Sequence, residues 1–202
     1  YTGPVTVPVL WDKKTGRIVN NESADIMRML QTAFLDFADV EWNFLPLALR
    51  EEMKIWNDFL QHRVNNGVYR VGFATSQDAY DEALWDLIDA LDELELLLAE
   101  RSNLAGDLVT EADWRLFTTL IRFDLIYYPH FKANLRRIAD YPNLQAHLEK
   151  LYRWPGVAET VDVEHIKQHY YLSHHQLNPG GLIPAGPDFP FHVPDPQSQP
   201  IL

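Results

Sequence analysis

Cysteine is absent from all 202 residues, which excludes disulfides and thiolate metal sites within this sequence and leaves the redox compartment unreadable from cysteine usage. Positive charge is scarce too. Seventeen Lys and Arg against 29 Asp and Glu give a net charge of −12, which repels a phosphate backbone, and no local basic patch offsets it. Nucleic acid is therefore not an expected partner. No run approaches the roughly 20 apolar residues of a membrane span, and the first residues lack the basic and apolar pattern of a signal peptide. A membrane is not expected either, and a reducing cytoplasm is the default location. Gly-x-Ser-x-Gly elbows, phosphate loops and dinucleotide fingerprints are missing, so serine-hydrolase and nucleotide chemistry find no support. There is no initial methionine; Tyr1 runs straight into strand-like sequence, which points to a preceding segment.

The 47% of hydrophobic residues can build a sizeable core. Its centre is expected in Leu108–Phe131, LVTEADWRLFTTLIRFDLIYYPHF. Thr110 and Asp113 stand three apart, the spacing at which a threonine and a carboxylate satisfy the free amides of a helix's first turn. Behind them Ala112, Trp114, Leu116, Phe117, Leu120, Ile121, Phe123, Leu125 and Ile126 point nearly all round a 3.6-residue period, so this helix is buried, and Pro129 ends it.

Ahead of that helix, Val5–Trp11 and Arg17–Asn20 read as a hairpin, with Pro8 at an edge, a bulge or a special turn, where a cis bond is one option. Asn21, Glu22 and Ser23 open an amphipathic helix. Residues 33–48 read as a linker. Helical spacing resumes from Leu49 to Val64 and meets a stop at Asn65-Asn66-Gly67, after which Val68–Thr75 read as a connecting loop. The longest helix starts at Gln77, with a stripe of Tyr80, Leu84, Leu87, Leu91, Leu94 and Leu98. Its acidic side, including Asp86, Asp92 and Glu93, reads as a solvated face. Further helices are expected over Asn143–Trp154 and Val163–Leu172. Seven of the thirteen prolines then fall between Pro179 and Pro200, giving a tail at 176–202 whose Phe189 and Phe191 favour wrapping over the surface.

Two groups of side chains invite a chemical reading. His165 and His169 share a helix face, with His174 and His175 behind, yet Ile166 stands where a zinc-peptidase glutamate belongs, and ordinary hydrogen-bonded histidines are the simpler reading. No metal is expected. Tyrosines are the second group: Tyr69 in the loop, Tyr127 and Tyr128 at the end of the central helix, Tyr170 and Tyr171 at the end of the last one. Buried tyrosines mostly pack and bond one partner, but several phenols at helix ends can converge on an aromatic ligand and donate to a developing anion.

The VPVLWD hairpin, the NNES helix start and the Thr-x-x-Asp cap resemble the glutathione transferases, over nearly the whole chain. More narrowly, NNGVYRVGFA, TEADWRLFTTLIRFD, HFKANLRRIADYPNL and HIKQHYYLSH resemble the Xi class, the glutathionyl-hydroquinone reductases. The resemblance implies a mainly α chain: part of a thioredoxin-like α/β domain over 1–32 (hairpin plus helix), the linker, an all-helical transferase C-terminal domain over 49–175, and the proline-rich tail. It also implies that Val5, Thr6 and Val7, before Pro8, bond the cysteinyl backbone of glutathione, and that Glu22 and Ser23 hold its γ-glutamyl group. Tyr69 matches the family's proton donor or acceptor, and Tyr127 and Tyr170 match phenols that assist the thiolate or the hydroquinone oxygen. The implied activity is glutathione-dependent reduction of glutathionyl-hydroquinones, with glutathione as co-substrate, aromatic hydroquinone conjugates as ligands and a homodimer as the assembly. Two departures stand out: the family's nucleophilic cysteine has no counterpart here, and Pro4 stands where a basic residue commonly helps to hold glutathione. A noncatalytic transferase-like binding or scaffold module is the alternative.

Overall fold

A computed structural model describes residues 6–38, 42–189 and 191, so Pro4, Val5 and the end of the tail lie outside the described residues. The chain divides between Arg50 and Glu51 into two compact units.

In the first unit β1 (Leu10–Asp12) and β2 (Arg17–Asn20) pair antiparallel, with Trp11 opposite Ile18 and a bulge between Leu10 and Trp11. The turn is closed by Asp12, whose carboxylate accepts from Lys14 N at 2.8 Å and Thr15 Oγ1 at 2.7 Å, and by Gly16 at φ 65°. The strand expected over Val5–Trp11 is shorter than its composition suggested. Val7–Pro8 is cis and Pro8 has no amide to give, so pairing begins only at Leu10. Helix α1 (Ser23–Thr32) follows, capped by Glu22. The segment read as a linker carries short 3₁₀ turns at Leu35–Phe37 and Leu47–Leu49.

The second unit is helical. Helix α2 (Arg50–Phe59) runs into a π-helical turn, Leu60–Asn65, and then, instead of the expected stop and loop, into α3 (Gly67–Gly72). The Asn-Asn-Gly signal fails here for tertiary reasons. Asn65 spends its amide on Arg115 O at 3.0 Å and Thr119 Oγ1 at 2.8 Å, while Gly67 lies against Leu87. Val68 and Val71 are buried and hold α3 down.

Helix α4 (Gln77–Glu100) buries Leu84, Leu87, Leu91, Leu94 and Leu98 as its stripe predicts. Its acidic side is more than a solvated face. Asp86 pairs with Arg63 at 2.8 Å and with Arg70, Glu93 pairs with Arg63 at 3.2 Å, and Asp92 pairs with Arg136 at 2.6 Å. Glu95 also caps another helix: its carboxylate accepts from Asn143 N at 2.9 Å and Leu144 N at 2.8 Å, the free amides at the start of α6 (Pro142–Tyr152).

Helix α5 (Glu111–Arg122) is the centre. Asp113, fully buried, accepts from Thr110 N at 2.8 Å, Thr110 Oγ1 at 2.9 Å and Leu104 N at 2.9 Å, so the capping pair also pins the preceding loop. Burial raises the Asp113 carboxyl pKa against the pull of those donors. Only Thr118 on this helix faces water. Past Arg122 the chain forms a second π-helical turn, Phe123–Tyr127. Helix α7 (Val163–Ser173) is capped by Asp162, which accepts from His165 N at 2.9 Å.

The tail wraps as far as it is described. Phe189 and Phe191 pack on Tyr152, with ring centroids 5.6 and 4.9 Å away. Buried Lys167 holds the same segment, donating to Pro184 O, Ala185 O and Gly186 O at 3.3, 2.8 and 3.2 Å. Among the described residues no helix is long and apolar enough to cross a membrane.

Candidate active site

The first unit offers a backbone turn and a helix start. Asn21 clamps the cis-proline turn, its amide donating to Thr6 O and Pro8 O, both at 2.8 Å. The peptide groups around Thr6 and Val7 are thereby fixed with Val7 itself 85% exposed. Glu22 accepts from Ala24 N and from Ser23 Oγ, both at 3.5 Å. These long bonds leave the carboxylate and hydroxyl free to take stronger partners. From the sequence Asn21 was read only as part of a helix start; its clamping role depends on carbonyls thirteen and fifteen residues away.

The second unit brings three phenols together. Tyr170 on α7 is the hub: its oxygen lies 2.7 Å from that of Tyr69 on α3 and 2.8 Å from that of Tyr127 at the end of the π turn. Tyr128 and Tyr171 take no part. Tyr128 packs against the core, and Tyr171 donates to Leu125 O at 3.3 Å.

Burial orders the protons of this chain. Tyr127 is 3% exposed and Tyr170 6%, whereas Tyr69 is 38% exposed. Among the described residues Tyr127 has Tyr170 as its hydroxyl's partner, so its proton must go there, since a buried hydroxyl left without an acceptor costs about 1–3 kcal/mol. Tyr170, having accepted, donates its own proton to Tyr69. The proton of Tyr69 is left over, at the open end. Burial raises the Tyr127 phenol well above its ordinary pKa, helped by the neighbouring Tyr170 and Tyr69, and burial likewise raises Tyr170. Tyr127 and Tyr170 therefore stay protonated at neutral pH and act as donors, each polarising the next phenol of the chain.

Aromatic rings and a histidine pair enclose the phenols. Phe131, 1% exposed, sets its ring 5.3 Å from Tyr69, 5.4 Å from Tyr127 and 6.0 Å from Tyr170. Of the four histidines considered for metal, His174 turns here, its Nδ1 3.3 Å from Nε2 of His130. His165, His169 and His175 are exposed, and the described residues contain no group of three or more metal-ligating side chains. Burial lowers the pKa of both His130 and His174, each pushed further by a neighbouring histidine.

Comparison with known proteins gives this arrangement a family. Residues 77–150 match the glutathione S-transferase C-terminal domain. A glutathionyl-hydroquinone reductase of Sphingobium chlorophenolicum is 52% identical over 190 residues, covering 94% of this chain and 61% of the relative. The glutathione-bound structure of YqjG, a glutathione transferase homologue from Escherichia coli K-12, superposes with a TM-score of 0.90 at 50% identity, over 93% of this chain and 61% of that one. A Xi-class transferase from Natrialba magadii gives 0.91 at 47% identity, over 94% and 58%. The chain belongs to the Xi class of glutathione transferases. It spans about three-fifths of the length of the relatives it matches.

In this Xi-class chain the mainly helical architecture follows the transferase pattern, with the hairpin and α1 as a partial thioredoxin-like region ahead of the C-terminal domain. Phe131 and His130 are the neighbours that sequence reasoning passed over, although both stand in YYPHF beside the tyrosines it chose.

Proposed function

We propose that this chain is the substrate-handling part of a glutathionyl-hydroquinone reductase, and that Tyr69 is its proton donor. The observation that carries this reading is the phenol chain Tyr127, Tyr170, Tyr69, whose last proton has nowhere to go but a ligand or water. Within the first unit, the peptide groups at Thr6 and Val7, with Val5 beyond the described residues, bind the cysteinyl backbone of glutathione. Glu22 accepts from the γ-glutamyl ammonium, while Ser23 and the free amides at the start of α1 take its carboxylate. Within the second unit, the phenols and the ring of Phe73 receive the aromatic ring.

The chemistry balances as follows. A cysteine thiolate, which this chain does not contain, attacks the sulfur of the glutathionyl-hydroquinone. The bond from sulfur to the ring carbon breaks, its electron pair stays with the ring, and a proton from Tyr69 completes the hydroquinone. A cysteinyl-glutathione disulfide remains, and a second glutathione resolves it, giving glutathione disulfide and the free thiolate. Tyr170 and Tyr127 stabilise the charge left on Tyr69 by donating along the chain.

Tyr69→Phe in the full-length protein is expected to lower kcat by roughly a hundredfold, as loss of a general acid does, with a smaller change in glutathione affinity. Steady-state assays with a glutathionyl-hydroquinone check this, and unchanged turnover would remove Tyr69 from the mechanism. We further propose a cytoplasmic homodimer; thiol exchange with glutathione suits a reducing compartment, and light scattering and cell fractionation test assembly and location.

A further inference from the structure

Among the described residues Phe131 is the one side chain whose ring approaches all three phenols, and it also lies within 5.3–5.5 Å of Phe73, His130 and His174. Its place is made by a missing atom. A Cβ on Gly72 would fall 2.4 Å from Phe131 Cγ and 2.7 Å from Cδ1, inside any allowed contact. Gly72 needs no special backbone angle, since its φ is not among the positive ones. Its smallness serves this contact, since the three atoms nearest to such a Cβ all belong to Phe131. Beyond the ring the chain is fixed again: Lys132 turns at φ 62°, its carbonyl accepts from Tyr80 Oη at 2.7 Å, and Ala133 N donates to Tyr127 O at 3.0 Å. Phe131 thus cannot slide along its own segment, and α3, which carries Tyr69, closes on its face.

We propose that Phe131, seated on Gly72, is a positioning residue that holds Tyr69 at hydrogen-bonding distance from Tyr170, so that the pair sets the aim of the donated proton without touching the substrate. This rests on the reading of Tyr69 as proton donor. The physical reason is that a hydrogen bond of 2.7 Å between two phenols tolerates little displacement. Buried Val68 and Val71 hold α3 to the core, and the Phe131 ring, 5.3 Å from that of Tyr69, fixes the phenol itself.

The test uses the full-length enzyme and a glutathionyl-hydroquinone substrate. Phe131→Leu and Gly72→Ala are each expected to lower kcat by roughly ten- to a hundredfold, the loss that a misplacement of about 1 Å produces, with KM for glutathione unchanged. The double variant Gly72→Ala/Phe131→Ala removes the Cγ and Cδ1 that the new methyl would strike, so its Tm should fall by less than the sum of the Gly72→Ala and Phe131→Ala losses while turnover stays low. Turnover that recovers together with stability would overturn the proposal, because Phe131 would then be structural filler. Tyr69→Phe/Phe131→Leu should be no slower than Tyr69→Phe, since both act on one proton; losses that multiply would overturn it too. Full turnover in Phe131→Leu beside a loss in Tyr69→Phe would remove Phe131 and leave the function standing, whereas full turnover in Tyr69→Phe removes both.

Discussion

The order of protons among the phenols makes a prediction that needs no substrate. Tyr127→Phe deletes the first donor only: Tyr170 loses a bond it accepted but still gives its proton to Tyr69. The cost is one hydrogen bond, about 1 kcal/mol. Tyr170→Phe deletes the hub. Two bonds go, and the hydroxyl of Tyr127, 3% exposed with Tyr170 as its partner, is left without an acceptor at a further penalty of about 1–3 kcal/mol, for a total of roughly 3–5 kcal/mol. Both changes remove one oxygen and leave the ring in place, so packing is nearly constant between them. At roughly 2–4 °C per kcal/mol for a chain of this size, Tm should fall by about 3 °C in Tyr127→Phe and by roughly 10 °C in Tyr170→Phe. Thermal and urea unfolding followed by circular dichroism on the 202-residue chain measure both. Equal losses, or a larger loss in Tyr127→Phe, would show that the protons run the other way and that Tyr69 is not the free donor.

Two further outcomes follow from other parts of the second unit. Burial, with Lys150 nearby, holds the pKa of His147 down at about 3 against an ordinary 6.5. The unfolded chain therefore binds a proton there between pH 6.5 and 3 that the folded chain refuses, and stability should fall with falling pH across that window by up to about 1.4 kcal/mol per unit. Urea midpoints measured against pH should show a shallower slope in His147→Gln, and identical slopes would refute the assignment. Lys167→Met removes the cation that gathers the carbonyls of residues 184–186; limited proteolysis within that segment should quicken by roughly tenfold or more, in line with losing charge-assisted bonds worth about 1.5–3 kcal/mol. Unaltered cleavage would mean that Phe189 and Phe191 alone hold the tail.

Features written locally were legible in the sequence. The leucine stripe of α4 and the Thr110–Asp113 cap depend on spacings of three and four, and they stand where those spacings put them. Features that depend on a distant partner were not legible. Asn65 and Gly67 look like a helix stop, but the Asn65 side chain answers to α5 and the bare Gly67 backbone lies against Leu87. Acidic residues on α4 look solvated, but Arg63, Arg70 and Arg136 come from elsewhere. Tyr69, Tyr127 and Tyr170 were chosen because they match a family's motif, Tyr69 in an expected loop and the other two at helix ends. Nothing in the spacing announced that Tyr170 would bridge the other two, or that Gly72 would make room for Phe131.

The two π-helical turns, Leu60–Asn65 and Phe123–Tyr127, sit just ahead of Tyr69 and around Tyr127. Each widens the helix by one residue per turn, and one residue of an α-helix is about 100° of rotation. Deleting a single residue at either place would not so much shorten the wall as re-phase it, swinging a phenol off Tyr170 while the hydrophobic stripe on the other side of the deletion stayed in register. Length at these two points is thus a setting of the site in its own right, and variants with one residue more or fewer there should lose the phenol chain before they lose the fold.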